Sequence, residues 1–199
     1  MTKFGTKTQF VVSLVLAIAL AMVIGTGFKT ARAQEVDHGT ALAAFERIKK
    51  LKGTWQATST KGWEERQQFR LIARGTAVVS QSESSPSTDA SKADVAPDSS
   101  MLTVFHMDGD RLLLTHYCEA GNHLRLVAAV SEDAGRTLRF SFLDATNLAS
   151  RASGHMHGVV IKFVDDTHFD EQWSRYENGK EQWMETIHNV LIRPAAGQR

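Results

Sequence analysis

The chain has 199 residues, of which 23 are Lys or Arg and 22 are Asp or Glu, for a net charge of +1. This near-neutral balance, in a sequence with no basic cluster or nucleic-acid-binding motif, excludes nucleic acid as an expected partner. The single cysteine, Cys118, excludes an intrachain disulfide.

The first 33 residues have the pattern of a cleaved secretory leader. Two lysines precede an apolar run over residues 11–24, and Ala31-Arg32-Ala33 is a small-x-small cleavage signal. The run is shorter than the ~20 residues that a transmembrane helix needs, and an uncleaved anchor is the alternative. We expect a signal peptide over residues 1–33 and a protein of residues 34–199 that is secreted into a bacterial periplasm, without stable membrane insertion. That protein has 19 Lys+Arg against 22 Asp+Glu, a net charge of about −3.

The sequence of residues 34–199 predicts one helix followed by strands. Residues 41–52 have apolar side chains at helical spacing, and Gly53 ends this predicted helix. From Thr54 onward the apolar period falls from about 3.6 residues to about 2. The ten predicted strands cover residues 55–59, 64–73, 77–83, 101–107, 111–118, 123–130, 137–143, 155–163, 169–176 and 182–193.

The connections between the predicted strands are mostly short and contain glycine, as at Asp108-Gly109, Ala120-Gly121 and Asn178-Gly179. Tight connections favour antiparallel pairing of consecutive strands. A sheet of this size normally closes on itself. We therefore predict an all-β fold, a closed up-and-down antiparallel barrel of about 8–10 strands with one short N-terminal helix. It would form a single domain over residues 34–199, with an interior wide enough for one small ligand.

One segment interrupts the strand pattern. Residues 84–100 are rich in Ser, Asp, Ala and Pro and have almost no large apolar side chain. This composition predicts a flexible surface insertion between two strands. A lid that covers a ligand is the alternative interpretation.

Gly53-Thr54-Trp55 after a short helix resembles the start of the lipocalin fold and of the wider calycin superfamily. The resemblance implies that Gly53 and Trp55 are structural, with the indole plugging one end of the barrel. Residues 103–110, 114–118, 121–122 and 154–157 together resemble a family of secreted bacterial lipocalin-like proteins with no assigned activity. This resemblance covers about residues 40–193 and implies the barrel fold without implying any chemistry.

The hairpin over residues 111–130 holds the first candidate site residues. If Ala120-Gly121 is a two-residue turn, Cys118 lies opposite His123 and His116 lies opposite Arg125. These four polar side chains would then share one face, continuous with apolar residues. We interpret this face as the lining of a pocket that is apolar inside and polar at its opening. A turn one residue longer would shift the register and scatter them.

Two histidines on a later strand extend the candidate site. His155 and His157 are two residues apart, so a regular strand sends both imidazoles to the side that Val159 continues. Asp144 and Asn147 precede them and would orient their rings. We therefore expect both imidazoles to point inward or to line the rim of the barrel.

The last hairpin separates two tryptophans. The turn at Asn178-Gly179 places Trp173 and Trp183 on opposite faces, so one of the two indoles should line the interior. The same alternation predicts that Phe69, Phe105, Phe140, Phe142 and Phe163 are core residues.

We predict no cofactor, with a metal or haem as alternatives. The metal ligands would be His155, His157 and His116, since neutral imidazoles suit transition metals. A haem barrel would use one histidine near the C-terminus, for which His188 is the candidate. However, the residues after Trp55 depart from the Gly-x-Trp-x-Gly-x-Gly pattern of such haem barrels.

The sequence favours a binding protein over an enzyme. We predict that a small, largely apolar molecule binds inside the barrel, and that the protein is a monomer or a weak homodimer. The polar end of the ligand would meet His116, Cys118, Arg125, Asn147, His155 and His157. The alternatives are an isomerase, cyclase or hydrolase that uses the same cluster, and a barrel filled by its own side chains. A hydrolase would need a nucleophile, but the sequence has no Gly-x-Ser-x-Gly elbow.

Overall fold

The computed structural model describes residues 38–85, 99–130, 133 and 135–192. One helix, α1 (His38–Lys49), precedes ten strands. The strands are β1 (Gly53–Ser59), β2 (Glu64–Ile72), β3 (Ala77–Ser85), β4 (Ser99–Asp108), β5 (Arg111–Tyr117), β6 (His123–Val130), β7 (Thr137–Thr146), β8 (His155–Phe163), β9 (His168–Glu177) and β10 (Lys180–Ile192). Every predicted element is present, with bounds within three residues of those expected.

The strands close into a single up-and-down barrel. Each strand is antiparallel to the next, and β1 pairs with β2 on one side and β10 on the other. Trp55, for example, is paired with both Gln67 and Leu191. Asn178 and Gly179 have φ angles of 53° and 80°, as in a type I′ turn, and connect β9 to β10. The prediction of an all-β closed antiparallel barrel with one short helix is confirmed.

The helix packs its apolar face onto one end of the barrel. Ala41, Phe45 and Ile48 recur at the spacing of a helical stripe and are buried. They join a core cluster that contains inward-facing side chains from the same end of most strands. These inward-facing residues include Phe69, Val78, Phe105, Leu112, Leu138 and Phe169. We call this closed, apolar end the floor of the barrel.

The junction between α1 and β1 is fixed by Trp55. Its indole Nε1 donates a hydrogen bond of 2.7 Å to the carbonyl oxygen of Leu51, and its ring meets Phe169 edge-on at 4.7 Å between centroids. Gly53 has a φ of 147°, and a Cβ there would lie 3.0 Å from Leu191 Cδ1. Glycine therefore allows the chain to enter β1 close to the last strand.

The predicted insertion over residues 84–100 is shorter than its composition indicated. Ser84 and Ser85 continue β3, and Ser84 pairs with Ser99 on β4. The strands thus extend into the predicted loop at both ends, and residues 86–98 lie outside the described residues. The predicted leader, residues 1–33, also lies outside them. Within the described ranges, no helix is long and apolar enough to cross a membrane.

Candidate ligand-binding site

The inward side chains change from apolar to polar along the barrel axis. On β2 the inward positions read Phe69, Gln67 and Glu65 from the floor upward, and on β3 Val78 is followed by Ser80. Because all strands run up or down, these changes coincide at one level of the barrel. The half of the interior away from the floor, which we call the polar half, therefore combines polar side chains with apolar ones.

A cavity of about 310 Å³ occupies this polar half. Its apolar wall consists of Trp63, Met101, Met156, Trp173, Met184 and Ile187. Its polar lining includes Glu65, Gln67, Ser80, Ser82, Ser84, Thr103, His116, Glu171 and Glu185. The volume and the mixed lining fall within the range found for small-molecule sites in proteins.

Two buried carboxyl groups are the strongest chemical feature of the cavity. Glu65 and Glu171 are only 2% and 4% exposed. Gln67 lies between them and donates a hydrogen bond of 2.8 Å from Nε2 to Glu171 Oε2. Burial raises the pKa of Glu65 to about 7. Burial, and next the nearby charge of Glu65, raises the pKa of Glu171 to about 8.

The hydrogen-bonding capacity of this group is incompletely used. Glu65 Oε1 and Gln67 Oε1 are buried and have no hydrogen-bond partner among the described atoms. The other oxygen of Glu65 accepts a long hydrogen bond, 3.4 Å, from the Ser84 hydroxyl. Glu185 is better satisfied, since it accepts a hydrogen bond of 2.5 Å from Ser59. Two residues that line the cavity thus each have a buried acceptor atom without a donor.

His116 also lines the cavity. Its Nδ1 is 2.8 Å from the Thr103 hydroxyl, and its ring centroid is 4.8 Å from that of Trp173. Burial lowers its pKa to about 4, so the imidazole is neutral near pH 7. His116 therefore contributes no positive charge to balance the carboxyl groups.

Of the six residues predicted to bind a ligand, three line the cavity: His116, Cys118 and His155. The two tryptophans of the last hairpin behave as predicted, since Trp173 is buried in the cavity wall whereas Trp183 is 59% exposed. Arg125, Asn147 and His157 lie elsewhere.

Arg125 is absent from the cavity because the predicted register of the β5–β6 hairpin was wrong. Tyr117, not Cys118, pairs with His123, and Thr115, not His116, pairs with Arg125. The connection is longer than a two-residue turn, so polar residues that were expected on one face alternate between faces. Arg125 lies on the outer surface, where its Nε donates a 2.7 Å hydrogen bond to Asp144 Oδ1.

His157 is displaced by an irregularity in β8. Met156 pairs with Arg175 and Gly158 pairs with Ser174, which leaves His157 as an unpaired bulge residue. The expected continuous face from the two histidines to Val159 is therefore interrupted, although His155 Nε2 is still 3.1 Å from His157 Nδ1. His157 lines a separate surface recess.

Asn147 stabilises a turn. Its φ is 55°, and its Nδ2 donates a hydrogen bond of 2.7 Å to the carbonyl oxygen of Gly121. Asparagine tolerates this left-handed conformation better than most residues. The side chain therefore links two connections at the surface instead of reaching the cavity.

His188, the candidate haem ligand, also lies on the outer surface. Its Nδ1 is 2.8 Å from Asp170 Oδ1, and its side chain is exposed. In the described part of the chain, no group of three or more His, Cys, Asp or Glu side chains is arranged to hold a metal ion.

The sequence interpretation missed the buried carboxyl groups, although a signal for them was present. Once Phe69 is assigned to the core, alternation places Gln67 and Glu65 on the same inward face. Glu171 follows Phe169 in the same way on β9. Strand periodicity alone therefore predicts that both carboxyl groups face inward.

Comparison with known proteins supports the fold. No protein-family model matches the chain, and no curated protein matches it. The crystal structure of Rv2717c from M. tuberculosis is similar, with a TM-score of 0.51 and 13% sequence identity. The similarity covers 76% of this chain and 97% of Rv2717c. At this identity it supports the barrel architecture alone.

Proposed function

We propose that this protein binds a small organic molecule in the barrel cavity. The apolar body of the ligand would lie against Trp63 and Trp173, and its polar end would face Glu65, Gln67 and Glu171. The observation that carries the proposal is the pair of buried, unpartnered acceptor atoms beside a cavity of about 310 Å³.

The free-energy cost of the unpartnered atoms supports a bound ligand. A buried polar atom without a partner costs about 1–3 kcal/mol, and native proteins leave few such atoms. A ligand that donates hydrogen bonds to Glu65 and Gln67 would recover part of this cost. The polar end of the site therefore consists of carboxyl and amide groups, and the histidine–arginine pair expected from the sequence is not assembled.

We also propose that the protein acts after export to the periplasm. The proposal rests on the positive start, the apolar run and the cleavage signal within residues 1–33. Expression of the full chain in a bacterium and sequencing of the N-terminus of the periplasmic product would test it.

Blocking the cavity should abolish binding of a neutral fluorescent probe, N-phenyl-1-naphthylamine. Ser82 faces the cavity, so Ser82→Phe should fill it and weaken probe binding by at least about tenfold. The matched control is Gln81→Phe, because Gln81 is the next residue on β3 and is exposed. Fluorescence titration of the periplasmic protein gives both affinities, and circular dichroism checks folding. Equal affinity in the folded Ser82→Phe variant would place the probe outside the barrel and contradict the proposal.

Removal of Arg125 should leave probe affinity unchanged. Its guanidinium is on the outer surface and is paired with Asp144, outside the cavity lining. We therefore expect the affinity of Arg125→Ala for N-phenyl-1-naphthylamine to stay within about twofold of the unmodified protein. A tenfold loss of affinity in the same titration would show that Arg125 contributes to the binding site and would contradict this prediction. An enzyme that uses His116 together with Arg125 has no support in this geometry.

A further inference from the structure

We propose that the ligand of this cavity is an organic cation, a protonated amine on an apolar body, whose ammonium group binds between Glu65 and Glu171. This inference rests on the proposed function, because it assigns the chemical class of the molecule that the cavity binds. The supporting observations are the type of the unpartnered atoms, the charges around them and the aromatic wall.

The unpartnered polar atoms of the site are acceptors. Glu65 Oε1 can only accept a hydrogen bond when ionised, and Gln67 Oε1 is a carbonyl oxygen. A ligand with only acceptors, such as a carboxylate or a ketone, could donate no hydrogen bond to either of these oxygens. An ammonium group supplies up to three N–H donors and therefore matches this arrangement.

The charge of the cavity favours the same class. Glu65, Glu171 and Glu185 line it, and no Lys or Arg forms an ion pair with any of these three within the described ranges. Arg175 also lines the cavity, but its Nη2 is directed to Glu177, at 3.4 Å from Oε1. An unpaired buried carboxylate is unfavourable, and a cationic ligand would supply the missing charge.

The wall beside the carboxyl groups suits the remainder of such a molecule. Trp63 and Trp173 are 8% and 7% exposed, and both line the cavity. Indole rings bury large apolar areas and attract cations to their faces. The cavity thus combines an anionic end with an aromatic wall, as recognition of an arylalkylamine or a similar amine requires.

Binding of a cation should also displace a proton. Burial raises the pKa of Glu65 to about 7 and that of Glu171 to about 8, so the empty cavity retains a carboxyl proton near pH 7. An ammonium group stabilises both carboxylates and would expel that proton. The other titratable or charged groups that line the cavity are Glu185 on β10, His116 on β5, Cys118 and Glu119 in the following turn, His155 on β8 and Arg175 on β9.

The test uses three probes with the same phenyl body and different polar ends: 2-phenylethylamine, 2-phenylethanol and 3-phenylpropanoate. Each is titrated at pH 7.5 into the periplasmic protein that contains N-phenyl-1-naphthylamine, and displacement gives its affinity. We expect the amine to bind at least about tenfold more tightly than the alcohol and the carboxylate to bind most weakly.

Substitutions that preserve shape then identify the groups that bind the ammonium. Glu171→Gln and Glu65→Gln should each weaken amine binding by about tenfold or more and should weaken alcohol binding much less, because a neutral hydroxyl group can also bond to a glutamine amide. Glu83→Gln is the matched control, because Glu83 is exposed on β3 and should have no effect on either probe. Calorimetry in two buffers of different ionisation enthalpy should detect proton release when the amine binds at pH 7.

The outcomes separate this inference from the proposed function. If amine and alcohol bind equally and both are lost in Ser82→Phe, the cavity is a binding site but the assignment to cations is wrong. Preference for the carboxylate, or no displacement by the amine at millimolar concentration while N-phenyl-1-naphthylamine still binds in the cavity, also overturns it. If N-phenyl-1-naphthylamine and all three probes fail to bind, the proposed function and the inference fail together.

Discussion

Glu171→Gln is expected to stabilise the ligand-free protein at pH 8 and to leave its stability at pH 5 almost unchanged. Burial raises the pKa of Glu171 from 4.5 to about 8, which corresponds to a loss of roughly 3 kcal/mol in unfolding free energy between pH 5 and pH 8. Glutamine has the shape of the protonated acid but cannot ionise, so the variant should escape this loss.

The direction of this change in stability with pH follows from proton binding. Between pH 4.5 and pH 8 the folded protein keeps a proton on Glu171 that the unfolded chain has released, so the stability falls as the pH rises through this interval. Glu65 acts in the same direction up to about pH 7. His116 acts in the opposite direction, since burial lowers its pKa to about 4 and stability rises with pH between 4 and 6.5.

Urea unfolding at pH 5 and pH 8 measures this difference. The protein is first unfolded, dialysed and refolded, because a bound cation would stabilise the ionised carboxylates and mask the effect. Glu83→Gln should retain the pH dependence of the unmodified protein, because the Glu83 side chain is exposed. If Glu171→Gln shows an equal fall between the two pH values, Glu171 is not the group that titrates in this range.

Trp55→Ala should cost about 3–5 kcal/mol of unfolding free energy. The substitution removes a side chain that is only 2% exposed, its edge-on contact with Phe169 and its hydrogen bond to Leu51 at the end of α1. Since a domain of this size has a total stability of about 5–15 kcal/mol, the loss should be visible as a large fall in the urea midpoint.

Two further variants separate the contributions to this cost. Trp55→Phe retains an aromatic ring and loses the hydrogen bond to Leu51, for which we expect about 1 kcal/mol plus the cost of the smaller ring. Trp183→Ala is the matched control, because Trp183 is 59% exposed and should change stability by no more than about 0.5 kcal/mol. Equal losses of unfolding free energy for Trp55→Ala and Trp183→Ala would show that the contacts of Trp55 with Leu51 and Phe169 do not stabilise the floor.

The fold could be predicted because its determinants are local. Alternation of inward and outward side chains located all ten strands. The turn at Asn178-Gly179 correctly predicted the pairing of the last two strands as far as Trp183 with Ser174, after which the register shifts and Trp173 pairs with Glu185 instead of the predicted Met184. Periodicity also identified Phe69 and Phe105 as core residues. These signals need only a few neighbouring residues, so a single sequence contains them.

The site was harder to predict because it depends on register. The connection after Cys118 is longer than the Ala120-Gly121 pair indicated, and this difference removed Arg125 from the interior. The bulge at His157 has no signature in the sequence, since it depends on how β8 meets β9. Each irregularity shifts the pairing by one residue, which is sufficient to exchange inner and outer faces.

The two halves of strands such as β2 and β5 have different roles, since one half forms the floor and the other lines the cavity. Side chains such as Phe69 and Leu112 on the floor exclude water and hold the barrel closed. Gln67, two positions from Phe69, and His116, four positions from Leu112, contribute to the cavity surface. If the cavity binds a ligand as proposed, substitutions at its lining positions would change which molecule binds while the floor keeps the barrel folded. A scaffold divided in this way can acquire a new ligand by a small number of replacements in its upper half.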